Sequence, residues 1–278
     1  MLELPNCDIW LGEIDTVNSR IVHIRNVTDR PGYDNQPVFI DDGKHMLFTS
    51  DRTGTTDIYS YAVGTGTTTR VTATDESEFS PQPMTDGRSF SVVRVDNPTA
   101  SGDAYTASQH IWRYGDDGKA VRPVTTTSRV GYHAWIGPGH LALFLIPEDS
   151  TQPFELVVEN LAMRQRQSMA KHIGRSIHRA PDGSLTWVDK ADSTEWWVTI
   201  RSIREAQPTR LVTTPTGHED VAWAPDGTLF MAADQGFVRW TPRGERQSFP
   251  LADGPSGRIT RLALSPDGKT IAFVVTAE

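Results

Sequence analysis

The chain has 278 residues and a formal charge of −8, from 35 Asp and Glu against 27 Lys and Arg, with the basic residues scattered singly. That balance argues against a nucleic-acid partner, because the phosphate backbone needs clustered cations. No apolar run nears the roughly 18 residues that span a bilayer, and a lone Cys7 allows neither an internal disulfide nor a cysteine-rich metal site.

The start, "MLELPNC", lacks the basic and apolar stretches of an export signal, and the first predicted strand, "DIWLGEI", follows at once. A second strand, "SRIVHIRNVT", ends in an Asn26-Val27-Thr28 sequon, which reads as part of a repeat and not as a glycosylation site. Next comes the turn "IDDGKHMLF" at Asp42-Gly43, which recurs as "MTDGRSFSV", "APDGSLTWV", "APDGTLFMA" and "SPDGKTIAF", with a degenerate copy, "IGPGHLALF". Steps between copies are about 44, 51, 45, 44 and 41 residues. Asp-Gly between alternating apolar runs supplies a tight reversal with positive φ at the glycine, so each copy predicts a hairpin joining a first strand to a second.

Third strands follow at "DIYSYAV", "HIWRYG", "FELVVEN", "EWWVTIR" and "FVRWTP", and fourth strands close on "RVT", "RPVT" and "RLVT". A period of 40 to 50 residues with four short strands predicts propeller blades. The last copy, "ITRLALSPDGKTIAFVV", supplies only first and second strands, whereas "DIWLGEI" and "SRIVHIRNVT" supply only a third and a fourth. Joined, they complete a sixth blade and remove two exposed strand edges. The expected fold is therefore all-β: one domain over residues 1–278, a six-bladed β-propeller with four antiparallel strands per blade, closed by a blade composed of N- and C-terminal strands. Trp135, Trp187, Trp196, Trp223 and Phe273 fall where blades pack on one another.

Residues 37–72, "PVFIDDGKHMLFTSDRTGTTDIYSYAVGTGTTTRVT", resemble the repeat of TolB-like β-propellers, the Pro-Asp-Gly relatives of the WD repeat. The marks are the Asp42-Gly43 turn, the "TSDR" loop from Thr49 to Arg52, "DIY" from Asp57 to Tyr59 and a closing "VT". The resemblance implies a bacterial protein of the periplasm or cell envelope, or a secreted one, that binds a peptide, protein or glycan. Such propellers also gate prolyl-oligopeptidase-like peptidases, but a hydrolase domain and a Gly-x-Ser-x-Gly elbow are both missing from this sequence, so peptidase activity is not expected.

Propeller geometry puts second-to-third loops and fourth-to-first crossovers on one face and the Asp-Gly turns on the other. The longest connection, "DNPTASGDAYTAS" from Asp96 to Ser108, marks the first face as functional and is expected to fold over the channel mouth as a lid. The starts of the first strands meet there near the axis. They offer Asn35, Glu78, Tyr132, His133, Arg175, His178, His218, Glu219, Asp220 and Arg261 as the lining of a ligand pocket.

Two chemistries suit this set. A polar rim of carboxylates and arginines binds a peptide, protein or glycan without catalysis. Alternatively, His133, His178 and His218, with a carboxylate from Glu78, Glu219 or Asp220, hold a divalent cation for a metal-assisted lyase or hydrolase acting on a small molecule in the channel. No local metal motif joins the three histidines, and no catalytic residue is identified. A monomer is expected.

Overall fold

The computed structural model describes residues 4–202, 205 and 207–276. Among them, 24 strands form six four-stranded antiparallel sheets, with one short α-helix at Gly102–Ala107 and a single 3-10 turn at Asp41–Gly43. The first strands of the blades are Asp34–Ile40, Ser77–Pro83, Val130–Gly137, Ile173–Arg179, Val221–Trp223 and Arg258–Leu264. We number blades 1 to 6 in that order. Each first strand is joined to its second by the predicted glycine turn, and Gly43, Gly87, Gly139, Gly183, Gly227 and Gly268 all carry positive φ. A left-handed conformation costs a glycine nothing sterically, which is why the repeat keeps it at that point.

Blade 6 is composite, as the half-sheets at the two ends of the sequence predict. Its strand order runs from Arg258–Leu264 through Thr270–Thr276 to Cys7–Asp15 and Arg20–Asn26. Seven consecutive residue pairs, from Cys7 with Thr276 to Glu13 with Thr270, zip the two ends together.

Apolar cores sit between neighbouring blades. Ile9, Leu11 and Val274 of blade 6 pack with Phe48, Tyr59 and Met46 of blade 1. On its other side blade 6 meets blade 5, where Phe237 and Phe273 touch edge to face at 5.4 Å. Each such buried ring is worth about 2 to 3 kcal/mol, so the inter-blade layers carry most of the cohesion. Polar latches add direction. Trp135 Nε1 of blade 3 donates to Ser91 Oγ of blade 2 at 2.9 Å, and Trp223 Nε1 of blade 5 donates to Thr186 Oγ1 of blade 4 at 3.0 Å.

The closing threonines have a structural role too. Thr28 Oγ1 accepts the Ile9 amide at 3.0 Å and donates to Asp8 at 2.8 Å, while Thr72 Oγ1 accepts the Ile58 amide at 2.8 Å. Each ties the end of a fourth strand to the third, which accounts for Thr28 within the sequon; Thr125 of the same motif instead donates to Glu159 at 2.7 Å, and Thr213 Oγ1 accepts from Arg246 at 3.2 Å.

Candidate site at the channel mouth

Counting back seven residues from each turn glycine gives Gln36, Ser80, Tyr132, Ser176, Asp220 and Arg261, one residue per blade. All six line a cavity of about 80 Å³ on the axis, together with His133, Arg175 and His178. The backbone helps to aim them. First strands of blades 1, 2 and 6 break register with their neighbours just there, and Gln36, Ser80 and Arg261 adopt φ of 57°, 52° and 48°. A bulge of this kind bends the strand and redirects a side chain that ideal pleating would turn into the sheet.

A charged cluster occupies one side of the ring. Arg175 Nη2 and Arg261 Nη1 each donate to Asp220 at 3.0 Å, one to each carboxylate oxygen. Arg261 also donates to the Tyr132 hydroxyl and lies over the Tyr132 ring at 4.8 Å. Behind Arg175, Glu219 accepts its backbone amide at 3.2 Å and pairs with Lys190 at 3.3 Å. Burial alone would raise the Asp220 pKa, but Arg261 and Arg175 outweigh it and hold the carboxyl down to about 2. Arg261 is held above its usual range, because Tyr132 and Asp220 overcome the opposing effect of burial. Three cations face two carboxylates, so this cluster carries one excess positive charge inside a protein of net charge −8.

The histidines of the cavity are neutral. Burial pushes His133 down to about 3 and His178 down to about 4, so neither imidazole is charged at neutral pH. His133 Nε2 is 2.7 Å from Ser91 Oγ, and His178 Nε2 is 2.9 Å from Ser176 Oγ. Ser80 Oγ and His133 Nδ1 are buried and find no hydrogen-bond partner among the described residues. Buried polar atoms are normally satisfied, so these two are available to a guest.

Of the ten residues expected at the mouth, Tyr132, His133, Arg175, His178, Asp220 and Arg261 line the cavity. Glu219 supports Arg175 from behind. Asn35, Glu78 and His218 point elsewhere: Asn35 alternates with Gln36, the irregular pairing between Phe79 and Gln82 separates Glu78 from Ser80, and His218 precedes the first strand of blade 5. Asn35 Nδ2 donates to Cys7 Sγ at 3.4 Å. Glu78 is fully buried between blades and accepts from Tyr114 at 2.9 Å, Thr72 at 3.1 Å and Thr74. Burial raises its pKa to about 7 against those hydrogen bonds. His218 Nε2 is 2.8 Å from Asp234.

Among the described residues no group of three or more His, Cys, Asp or Glu side chains is placed to hold a metal ion, and of the three histidines expected to hold one, His218 is turned to Asp234. Nor does the Asp96 to Ser108 segment cover the channel. Part of it is the helix Gly102–Ala107, whose Asp103 pairs with Arg129 at 2.7 Å, and its Pro98, Thr99 and Tyr105 line an outer cleft with Thr53, Thr55 and Arg70. Gln36, Ser80 and Ser176 are the ring positions that the sequence reading missed, and Gln82 is a further polar lining residue it did not name. The fixed seven-residue offset from the turn was the signal that would have found the ring positions.

Residues 11–111 match a family model described as the TolB beta propeller domain. A comparison with curated proteins returned no match. Among solved structures, a protein assigned as a TolB from Agrobacterium tumefaciens superposes with a TM-score of 0.73 at 14% identity, covering 99% of this chain and 100% of that one. A gluconolactonase from Xanthomonas campestris gives 0.66 at 12% identity, with 100% and 98% covered. An oligogalacturonate lyase from Vibrio parahaemolyticus gives 0.58 at 12% identity, with 99% of each chain covered. At these identities the likeness is one of fold, shared by a TolB and by two enzymes.

Proposed function

We propose that this TolB-like six-bladed propeller is a binding protein that takes an acidic group of a peptide or protein partner into the mouth of its channel. The observation that carries the reading is the Arg261–Asp220–Arg175 cluster, with its excess positive charge. A carboxylate entering the cavity balances that charge and meets guanidinium donors in a site shielded from water, where charge-assisted hydrogen bonds are strongest. The unpartnered Ser80 hydroxyl adds a further donor in the same cavity. A space of about 80 Å³ suits a side-chain or C-terminal carboxylate better than a whole sugar ring. The metal-assisted lyase or hydrolase alternative has no ligand trio among the described residues to rest on. By resemblance to TolB-like propellers, the protein acts in the bacterial periplasm or envelope; fractionation of the native host with an antibody to the protein tests that placement.

The binding test is calorimetric titration with a Glu-terminated peptide that has no other acidic residue, the matching Gln-terminated C-terminal amide, which has no carboxylate, and galacturonic acid. Binding of the free-acid peptide that weakens by about tenfold or more in Arg175→Met and falls with salt is the expected result. Equal affinity for acid and amide, or for wild type and Arg175→Met, overturns the reading. Binding of galacturonic acid alone moves the ligand from peptide to acidic saccharide.

A further inference from the structure

We propose a second binding surface on the opposite face of the ring, in the groove between blades 1 and 2, for an extended segment of another protein carrying an apolar residue flanked by lysine or arginine. The groove encloses about 560 Å³. Its floor is apolar, formed by Phe39, Leu47, Val71, Met84 and Phe90, and its rim carries Asp41, Asp42 and Asp116 against the single cation Arg88. The volume accepts one or two large side chains, and the rim leaves a surplus of two negative charges around them.

Two of these carboxylates, Asp42 and Asp116, are free to meet a partner, and among the described residues Asp41 is held only by His45. In four sister turns the equivalent aspartate is tied to its own backbone: Asp86, Asp182, Asp226 and Asp267 accept the amides of Arg88, Ser184, Thr228 and Lys269 at 2.9 to 3.0 Å. Asp42 makes no such bond, because in the blade 1 turn Asp41 and Asp42 both lie in the left-handed region, at φ of 52° and 55°, and the Lys44 amide bonds the Asp41 carbonyl. Asp42 and Asp116 form no ion pair among the described residues, and Asp41 meets only His45, at 3.3 Å. An apolar floor under an unpaired acidic rim selects against acidic segments and for basic ones, since an anion placed there is repelled while a lysine or arginine pairs on arrival.

The experiment is selection of a random nine-residue peptide library on the immobilised protein, followed by anisotropy titrations with the recovered peptides. Recovered sequences should place Leu, Ile, Met or Phe beside Lys or Arg. Their affinity should fall by about tenfold in the double variant Asp42→Asn/Asp116→Asn, as for loss of two charge contacts, and should be unaltered in the channel variant Arg175→Met. Met84→Asp, which puts a carboxylate on the floor, should abolish binding, with melting curves confirming that every variant folds. Failure to enrich any peptide, enrichment without basic residues, or affinity indifferent to the double variant overturns the proposal. Concentration-dependent self-association lost in the double variant also overturns it, assigning the groove to a second copy of the chain.

Discussion

Asp220 at the channel mouth and Asp42 on the turn face are both placed by the same repeat, seven residues before and one residue before a turn glycine. Their surroundings differ in every respect that sets the energy of a charge. Asp220 is 5% exposed and bridges two guanidinium groups, whereas Asp42 is exposed and touches no cation. One repeat unit thus yields a buried, paired charge at one end of the strand and a solvated, unpaired one at the other. Removing the first must disturb the fold, because it leaves two half-buried arginines without their shared carboxylate; removing the second must leave the fold alone and show itself only in what the surface recognises.

The largest expected effect follows from breaking the buried end of that contrast. Asp220→Ala should lower the unfolding free energy by about 3 kcal/mol, read from urea denaturation. Its acid dependence has a definite sign. With the folded-state pKa pulled below the ordinary 3.8 to about 2, the stabilisation by Asp220 is present above pH 3.8 and is lost as pH falls towards 2. Glu78 sharpens the comparison from the other direction, since it is buried without a cation among its hydrogen-bond partners. Its pKa is raised from 4.5 to about 7, so its contribution is fully present below pH 4.5 and declines as pH rises through 7. Glu78→Gln should therefore flatten the stability curve between pH 4.5 and 7 and gain on wild type above it, which denaturation at a series of pH values would detect.

Smaller effects come from the latches and turns. Trp223→Phe keeps the ring and deletes the bond to Thr186, for an expected loss of about 1 kcal/mol in chemical denaturation. Asp267→Ala should cost about 1 kcal/mol, because its carboxylate accepts the Lys269 amide and bonds Ser265 at 2.6 Å. Asp42→Asn should change stability by less than about 0.5 kcal/mol. Equal losses at Asp42 and Asp267 in thermal melts would remove the distinction between free and engaged turn aspartates.

The blade count, the strand order and the composite closure were legible because they follow from local rules. Turn glycines, two-residue alternation and a fixed period each report on a few neighbouring residues. The site was legible only in part. Tyr132, Asp220 and Arg261 stand out as polar residues at strand starts, but Glu78 stands at a strand start as well and faces between blades. Facing depends on pleat parity and on bulges such as those at Gln36 and Ser80, which shift the alternation by one residue and carry no composition mark of their own. The grouping of the three histidines meets a related difficulty. Proximity along the repeat places His133, His178 and His218 in neighbouring blades, but His218 turns to Asp234 instead of the axis. The loop from Asp96 to Ser108 was long enough to suggest a lid, yet length alone does not fix where Tyr105 and Asp103 anchor it.

The composite blade also sets an order of events during synthesis. Strand Cys7–Asp15 leaves the ribosome early, and its inner neighbour, Thr270–Thr276, is made more than 250 residues later. Local hairpins can form in blades 1 to 5 as they emerge, but the pairing of Cys7 with Thr276 has the greatest sequence separation in the molecule and closes last. Until then the inner edge of an early strand, with Ile9 and Leu11 beside it, lies open to other chains. A nascent propeller of this design is therefore exposed to misassembly and to chaperones until strand Thr270–Thr276 has been made and has paired.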